Sequence, residues 1–131
     1  MTVQAADVRT HVGRILADEA ALLQSLEALL SQEAAVVRGD DVAAIERIGA
    51  TRHDCIAALT RLEAERSASC RMLSFGSGRE GFEQLLGWCD DQGELRERWQ
   101  ANLKLARRCK DQNDRNGAVV SVKLHHVQKL L

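Results

Sequence analysis

The sequence predicts an all-α fold, an elongated antiparallel bundle of three long helices with a short helical insert. The 131 residues contain no proline, so the strongest helix breaker is absent. Aromatic residues make up only 3% of the chain, whereas Ala, Leu, Glu and Arg, which favour helices over strands, are abundant. Apolar residues also recur at spacings of three and four along most of the chain, which is the period of a helix.

The first predicted helix covers residues 3–37. Its apolar stripe is broad enough to contact two neighbouring helices rather than one. Gly39 follows as a helix stop, and Asp41 is suited to cap the next helix. The central positions of the stripe lie seven residues apart: Val8, Ile15, Leu22, Leu29 and Val36.

The second predicted helix covers residues 41–72 and runs antiparallel to the first, because the connection at Gly39 is tight. Folding back at this turn would bring Arg52 level with Glu27, and we expect an ion pair between them. The apolar seam of this helix is interrupted by two arginines and consists of Ile45, Ile48, Arg52, Cys55, Leu59, Leu62 and Arg66.

Residues 74–81 form the one loop-like stretch and contain a G-x-G-x-x-G match at Gly76, Gly78 and Gly81. Dinucleotide binding by this motif requires a preceding strand, but a helix precedes it here. We therefore expect a mobile connector that is dispensable for partner binding. A short helix over 82–89 should follow, packing Phe82, Leu85, Leu86 and Trp88 against the bundle.

The last predicted helix covers residues 94–131. Asn113 falls on its apolar seam, where a buried amide usually specifies register or partner choice. Asn116 lies one turn further, and Gly117 would permit close approach of another helix. A satisfied buried asparagine beside a packing glycine is the alternative interpretation of this group.

The same helix carries a second apolar stripe close to its end. We expect Val119, Val122 and Leu130, with His126 among them, to contribute to a partner-binding groove. Two alternatives remain open: the first two helices together bury both stripes, or the second stripe is a homodimer contact.

Composition argues against several other classes of function. The formal net charge of −1 comes without a basic stripe, so no nucleic-acid binding is expected. No apolar stretch is long enough for membrane insertion. The four cysteines lack C-x-x-C spacing and should be reduced packing residues, at least Cys55 and Cys109. Neither a metal motif, a cofactor site nor a nucleophile arrangement is apparent, so we do not expect an enzyme.

The segment from Cys109 to Gly117, with its Asn-x-x-Asn-Gly element, resembles the signature of FlgN-type flagellar export chaperones. The pattern L-x-x-L-E-x-x-R at Leu59, Leu62, Glu63 and Arg66 agrees with that family. The resemblance covers almost the whole chain, and we expect residues 1–131 to form one chaperone domain. Relatives continue past the position of Leu131, so the resemblance also implies that a C-terminal extension is missing.

The resemblance implies a cytoplasmic protein that binds hook-associated proteins, covers their C-terminal amphipathic helices and brings them to the flagellar export gate. Such recognition of a helix in a groove needs no ATP, metal or cofactor. The chain has no tyrosine, so a tyrosine-dependent gate contact cannot be carried over. A generic helical scaffold or a homodimeric coiled coil would show the same periodicities, and an enzyme or nucleotide binder using the glycine loop is the third hypothesis.

Overall fold

The structure is a computed structural model that describes the backbone of residues 3–130 and the side chains of residues 3–117. Within that range it has four helices: α1 (Ala5–Val36), α2 (Val42–Met72), α3 (Gly78–Cys89) and α4 (Glu94–Leu130). No strand occurs among these residues. The all-α fold class is therefore confirmed, and the described chain has three long helices and one short one.

The connection between α1 and α2 is closed by a side-chain cap. The carboxylate of Asp41 accepts a hydrogen bond from the backbone N–H of Ala44 at 3.0 Å, which satisfies one of the free donors of the first turn. The helices are antiparallel, since Arg52 of α2 pairs with Glu33 of α1 and, further along α2, Arg66 pairs with the earlier residue Glu19.

The ion pair predicted between Arg52 and Glu27 is wrong. Arg52 pairs with Glu33 instead, and Glu27 pairs with Arg108 of α4 at 3.0 Å. The reason lies in the turn, which occupies residues 37–41. Because α2 starts only at Val42, Arg52 reaches a position nearer the end of α1 than a fold about residue 39 would give.

The loop within the glycine-rich segment is shorter than predicted, because α3 begins at Gly78 and not at Phe82. Gly81 is buried, and a Cβ atom added to it would lie only 1.4 Å from the carbonyl oxygen of Gly76. Gly78 has a φ of +82°, which favours glycine. The motif thus forms a tight turn into α3.

The α3 helix packs against all three long helices. Phe82, Leu85 and Leu86 are buried, as predicted. Trp88 was expected in the same contact but is 44% exposed. It lies on the outer side of α3 near Phe75, at a centroid distance of 6.1 Å.

The buried apolar residues form two clusters, one at the α3 end and one along the middle of the bundle. The α3-end cluster consists of Val8, Val12, Leu16, Cys70, Phe82, Leu85, Leu86, Cys89, Leu95 and Trp99. The middle cluster consists of Leu23, Leu26, Leu30, Leu105 and Cys109.

Arg66 of α2 contacts the other three helices at the α3-end cluster. Its Nε lies 3.0 Å from Oε1 of Glu19 on α1, a distance suitable for an ion pair, although the two atoms are not aligned for a hydrogen bond. Its guanidinium carbon lies 5.4 Å from the ring centroid of Phe82 and 4.8 Å from that of Trp99. Both distances are typical of cation–π contacts.

Candidate functional site

Three polar side chains of α4 donate hydrogen bonds to backbone carbonyl groups of α1. Donors and acceptors are both spaced seven residues apart, and every pair spans the same separation of 86 residues. The two helices therefore run parallel in a fixed heptad register. The pairs are Asn102 with Leu16 at 3.0 Å, Cys109 with Leu23 at 3.6 Å and Asn116 with Leu30 at 2.9 Å.

Asn116 connects this row of α4–α1 hydrogen bonds to α2. It is 2% exposed, and its amide nitrogen also donates to Oε1 of Glu33 at 3.0 Å. Its Oδ1 accepts from Gln112 at 2.6 Å. Because Glu33 is in turn paired with Arg52 of α2, this one amide belongs to a network that joins all three long helices.

Asn113 and Gly117, the other two residues of the Asn-x-x-Asn-Gly element, have different surroundings. Asn113 is half-buried, and its Oδ1 has no hydrogen-bond partner among the described residues. Gly117 is exposed, and a Cβ atom added to it would meet no described atom within 4 Å. The close helix contact predicted for Gly117 stays a prediction. Within the element, Asn116 is thus the residue engaged in internal bonding.

The predicted partner-binding residues Val119, Val122, His126 and Leu130 lie beyond the described side chains. Their helix face can be followed backwards along α4 at about 100° per residue. In the described part, that face carries the exposed residues Ala101, Lys104, Asp111 and Arg115. It adjoins α1 at one edge, because Arg108 pairs with Glu27 and Gln112, in line with Leu130, is half-buried.

The apolar seam of α2 is incompletely covered. Only Ala44 and Cys70 of α2 are buried, whereas α1 buries nine residues, including two glutamates. Among the described residues, no Cα atom of α2 comes within 8 Å of a Cα atom of α4. The two helices flank α1, and apolar area remains accessible on the seam residues Ile45, Ile48, Cys55, Leu59 and Leu62.

The family model described as FlgN protein matches residues 10–131. The chain belongs to the FlgN family. FlgN-family proteins are flagellar export chaperones, so the resemblance seen in the sequence is confirmed. No curated protein and no solved structure matches the chain significantly.

Two further features of this FlgN-family protein concern its described residues. None of their helices combines the length and the apolarity needed to cross a bilayer. The described side chains also contain no group of three or more His, Cys, Asp or Glu residues placed to hold a metal ion.

The roles of Asn102 and Glu33 were missed in the sequence. The helical period of the sequence predicts Asn113 on the seam that faces the bundle. In the structure, the side chains of α4 that donate hydrogen bonds to α1 instead include Asn102 and Asn116. The signal was present as the seven-residue spacing of Asn102, Cys109 and Asn116. Glu33 could not be found this way, because an isolated glutamate in a helix is normally solvent-exposed.

Proposed function

We propose that this FlgN-family protein is a cytoplasmic chaperone for hook-associated proteins of the flagellum. It binds the C-terminal amphipathic helix of a client, prevents premature assembly and helps deliver the client to the export gate. The family match over residues 10–131 carries this proposal. The partly covered seam of α2 supports it, since a protein that binds an amphipathic helix needs accessible apolar surface.

The chaperone activity is binding and not catalysis. An apolar groove accepts the apolar stripe of the client helix, and the free energy comes from burial of both surfaces. Neither ATP hydrolysis nor a metal or cofactor takes part in such a cycle.

We further propose that Val119, Val122, His126 and Leu130 contribute to the client groove. Two observations support this placement. Most positions on the same face of α4 are exposed before residue 118. Continued along α4, the 86-residue offset also brings position 122 level with Val36, where α1 ends. The last turns of α4 would then extend on the order of 10 Å past α1, where a client helix can reach them.

The test is a double substitution, Val122→Asp with Leu130→Asp, in a pull-down with purified hook-associated proteins. We expect loss of client capture with unchanged helicity by circular dichroism and unchanged melting temperature. The matched control is Ala101→Asp with Lys104→Asp, which changes the same helix face at exposed positions and should leave client capture intact.

Three outcomes would contradict the groove assignment. A cooperative loss of fold would show that the stripe is internal, because buried carboxylates cost several kcal/mol. An intact fold with undiminished capture would remove these residues from the site. A change from dimer to monomer in light scattering, with capture preserved, would make the stripe a homodimer contact.

A further inference from the structure

A cavity of about 170 Å³ lies between α2, α3 and α4, at the opposite end of α4 from the proposed client groove. It has room for several water molecules at about 30 Å³ each. Its walls combine apolar rings and cationic side chains. Its lining includes Arg66, Gly78, Arg79, Phe82 and Trp99.

Hydrogen-bond donors without acceptors are concentrated around this cavity. Trp99 is 5% exposed, and its indole N–H has no acceptor among the described residues. The side chain of Ser77 does not cap α3, so the free N–H groups of the first turn lack the usual acceptor. Arg66 has one described anionic partner, Glu19, which lies near its Nε.

The glycine turn brings the start of α3 to this cavity. The contact of Gly81 with the Gly76 carbonyl closes the turn, and Gly78 lines the cavity at the first position of a 12-residue helix. A helix N-terminus carries partial positive charge. The side chain of Arg79, which also pairs with the exposed Glu83 at 3.3 Å, adds a positive charge to the lining of the cavity.

We propose that this cavity binds a small oxyanion, a carboxylate or phosphate group carried on an apolar body. The oxyanion would accept from Arg66, from Arg79 and from the first turn of α3, and the apolar body would pack against Phe82 and Leu103. Arg66 is already held by Glu19 and two aromatic rings, so little conformational freedom is lost on binding.

Glu63 also lines the cavity and opposes an anion there. It is exposed, so water screens its charge more than that of Arg66. We therefore expect Glu63→Gln to strengthen binding of the oxyanion.

The experiment follows the two indole N–H signals by ¹H–¹⁵N NMR, because the chain has two tryptophans. Trp99 lines the cavity, and the half-exposed Trp88 does not line it and serves as the internal control. The probes are N-acetyl-leucine, its amide and phenyl phosphate. We expect saturable shifts of the Trp99 signal with both oxyanions, and about tenfold weaker binding of the neutral amide.

A peptide probe distinguishes the source of the group. A hexapeptide ending in a free leucine carboxylate should bind more tightly than N-acetyl-leucine if the natural ligand is a chain end, and less tightly if it is a free small molecule. Equal binding of the amide and the acid, or equal shifts of both tryptophan signals, would overturn the proposal.

A pair of variants locates the site. Arg79→Gln removes a cavity residue whose described ion pair, with Glu83, is exposed, so the fold should survive, and oxyanion binding should weaken by about fivefold. Arg61→Gln removes an exposed arginine of α2 outside the cavity and should leave binding unchanged. Equal effects of the two substitutions would show general charge attraction and not a site.

Discussion

Asn116 of α4 donates a hydrogen bond to the carboxylate of Glu33 of α1 at 3.0 Å, although 83 residues separate them. Both are almost completely buried, and Glu33 is 1% exposed. A buried carboxylate is stable only when its oxygens are paired, and Arg52 and Asn116 provide that pairing. The internal role of Asn116 is therefore to stabilise a charge at the junction of the three long helices.

This relationship predicts different effects for the two asparagines of the Asn-x-x-Asn-Gly element. Asn116→Ala removes donors to Leu30 and Glu33 and should lower the free energy of unfolding by about 1–3 kcal/mol. Asn113→Ala is the matched control, because the Oδ1 of Asn113 has no described partner, and should change it by less than about 0.5 kcal/mol. Urea denaturation measures both. Equal losses would show that Asn113 is also bonded internally.

Gly81 and Gly117 should respond in opposite ways to the same substitution. Gly81→Ala places a Cβ atom 1.4 Å from the carbonyl oxygen of Gly76, so the turn must move, and we expect a loss of about 2 kcal/mol or more. Gly117→Ala meets no described atom and should stabilise α4 by up to about 1 kcal/mol. Thermal denaturation separates the two. Destabilisation by Gly117→Ala would indicate a close neighbour at that position.

Gly117→Ala also tests partner binding independently of stability. If Gly117 permits close approach of a client helix, the stabilised variant should capture less hook-associated protein than the wild type. If capture is unchanged, Gly117 affects the structure of the chaperone and not its contact with the client.

Glu19 should make stability depend on pH. Burial raises the pKa of this carboxyl, partly offset by Arg66, and Glu63 raises the pKa further. The folded state thus binds the proton more readily than the unfolded state. The stabilising contribution of the Glu19 carboxyl to the free energy of unfolding is therefore present at low pH and is lost as pH rises through the raised pKa. The free energy of unfolding of the wild type, relative to Glu19→Gln, should fall as pH rises from about pH 4 through the raised pKa. A relative rise over that range would mean that the attraction to Arg66 outweighs burial.

The cysteines should react with a thiol reagent at two different rates in the folded protein. Cys70, Cys89 and Cys109 are buried, whereas Cys55 is half-buried. Burial raises the pKa of all four thiols, which lowers the fraction of reactive thiolate. Cys55 should therefore label first and the other three much more slowly, with all four fast in denaturant. Mass spectrometry after timed quenching would reveal the order, and fast native labelling of Cys109 would contradict its placement against Leu23.

The helices themselves could be predicted from the sequence because their signals are local. The apolar period of α1 and α2, the stop at Gly39 and the cap at Asp41 depend on residues within a few positions of each other. The same locality explains why the start of α3 is predicted at Phe82 and not at Gly78. Three glycines predict a flexible loop when considered alone, but the contact between Gly76 and Gly81 makes them a turn.

By itself, the sequence determined the all-α class, the approximate extent of each helix and membership of the FlgN family, because these rest on short-range periodicity and on a linear motif. Only the tertiary structure decided which asparagine is internal, that Arg52 pairs with Glu33, and that Arg66 contacts three other helices. Those relationships depend on the register between helices. A shift of a single residue rotates a side chain by about 100° around its helix, so local signals cannot fix which residues meet across the bundle.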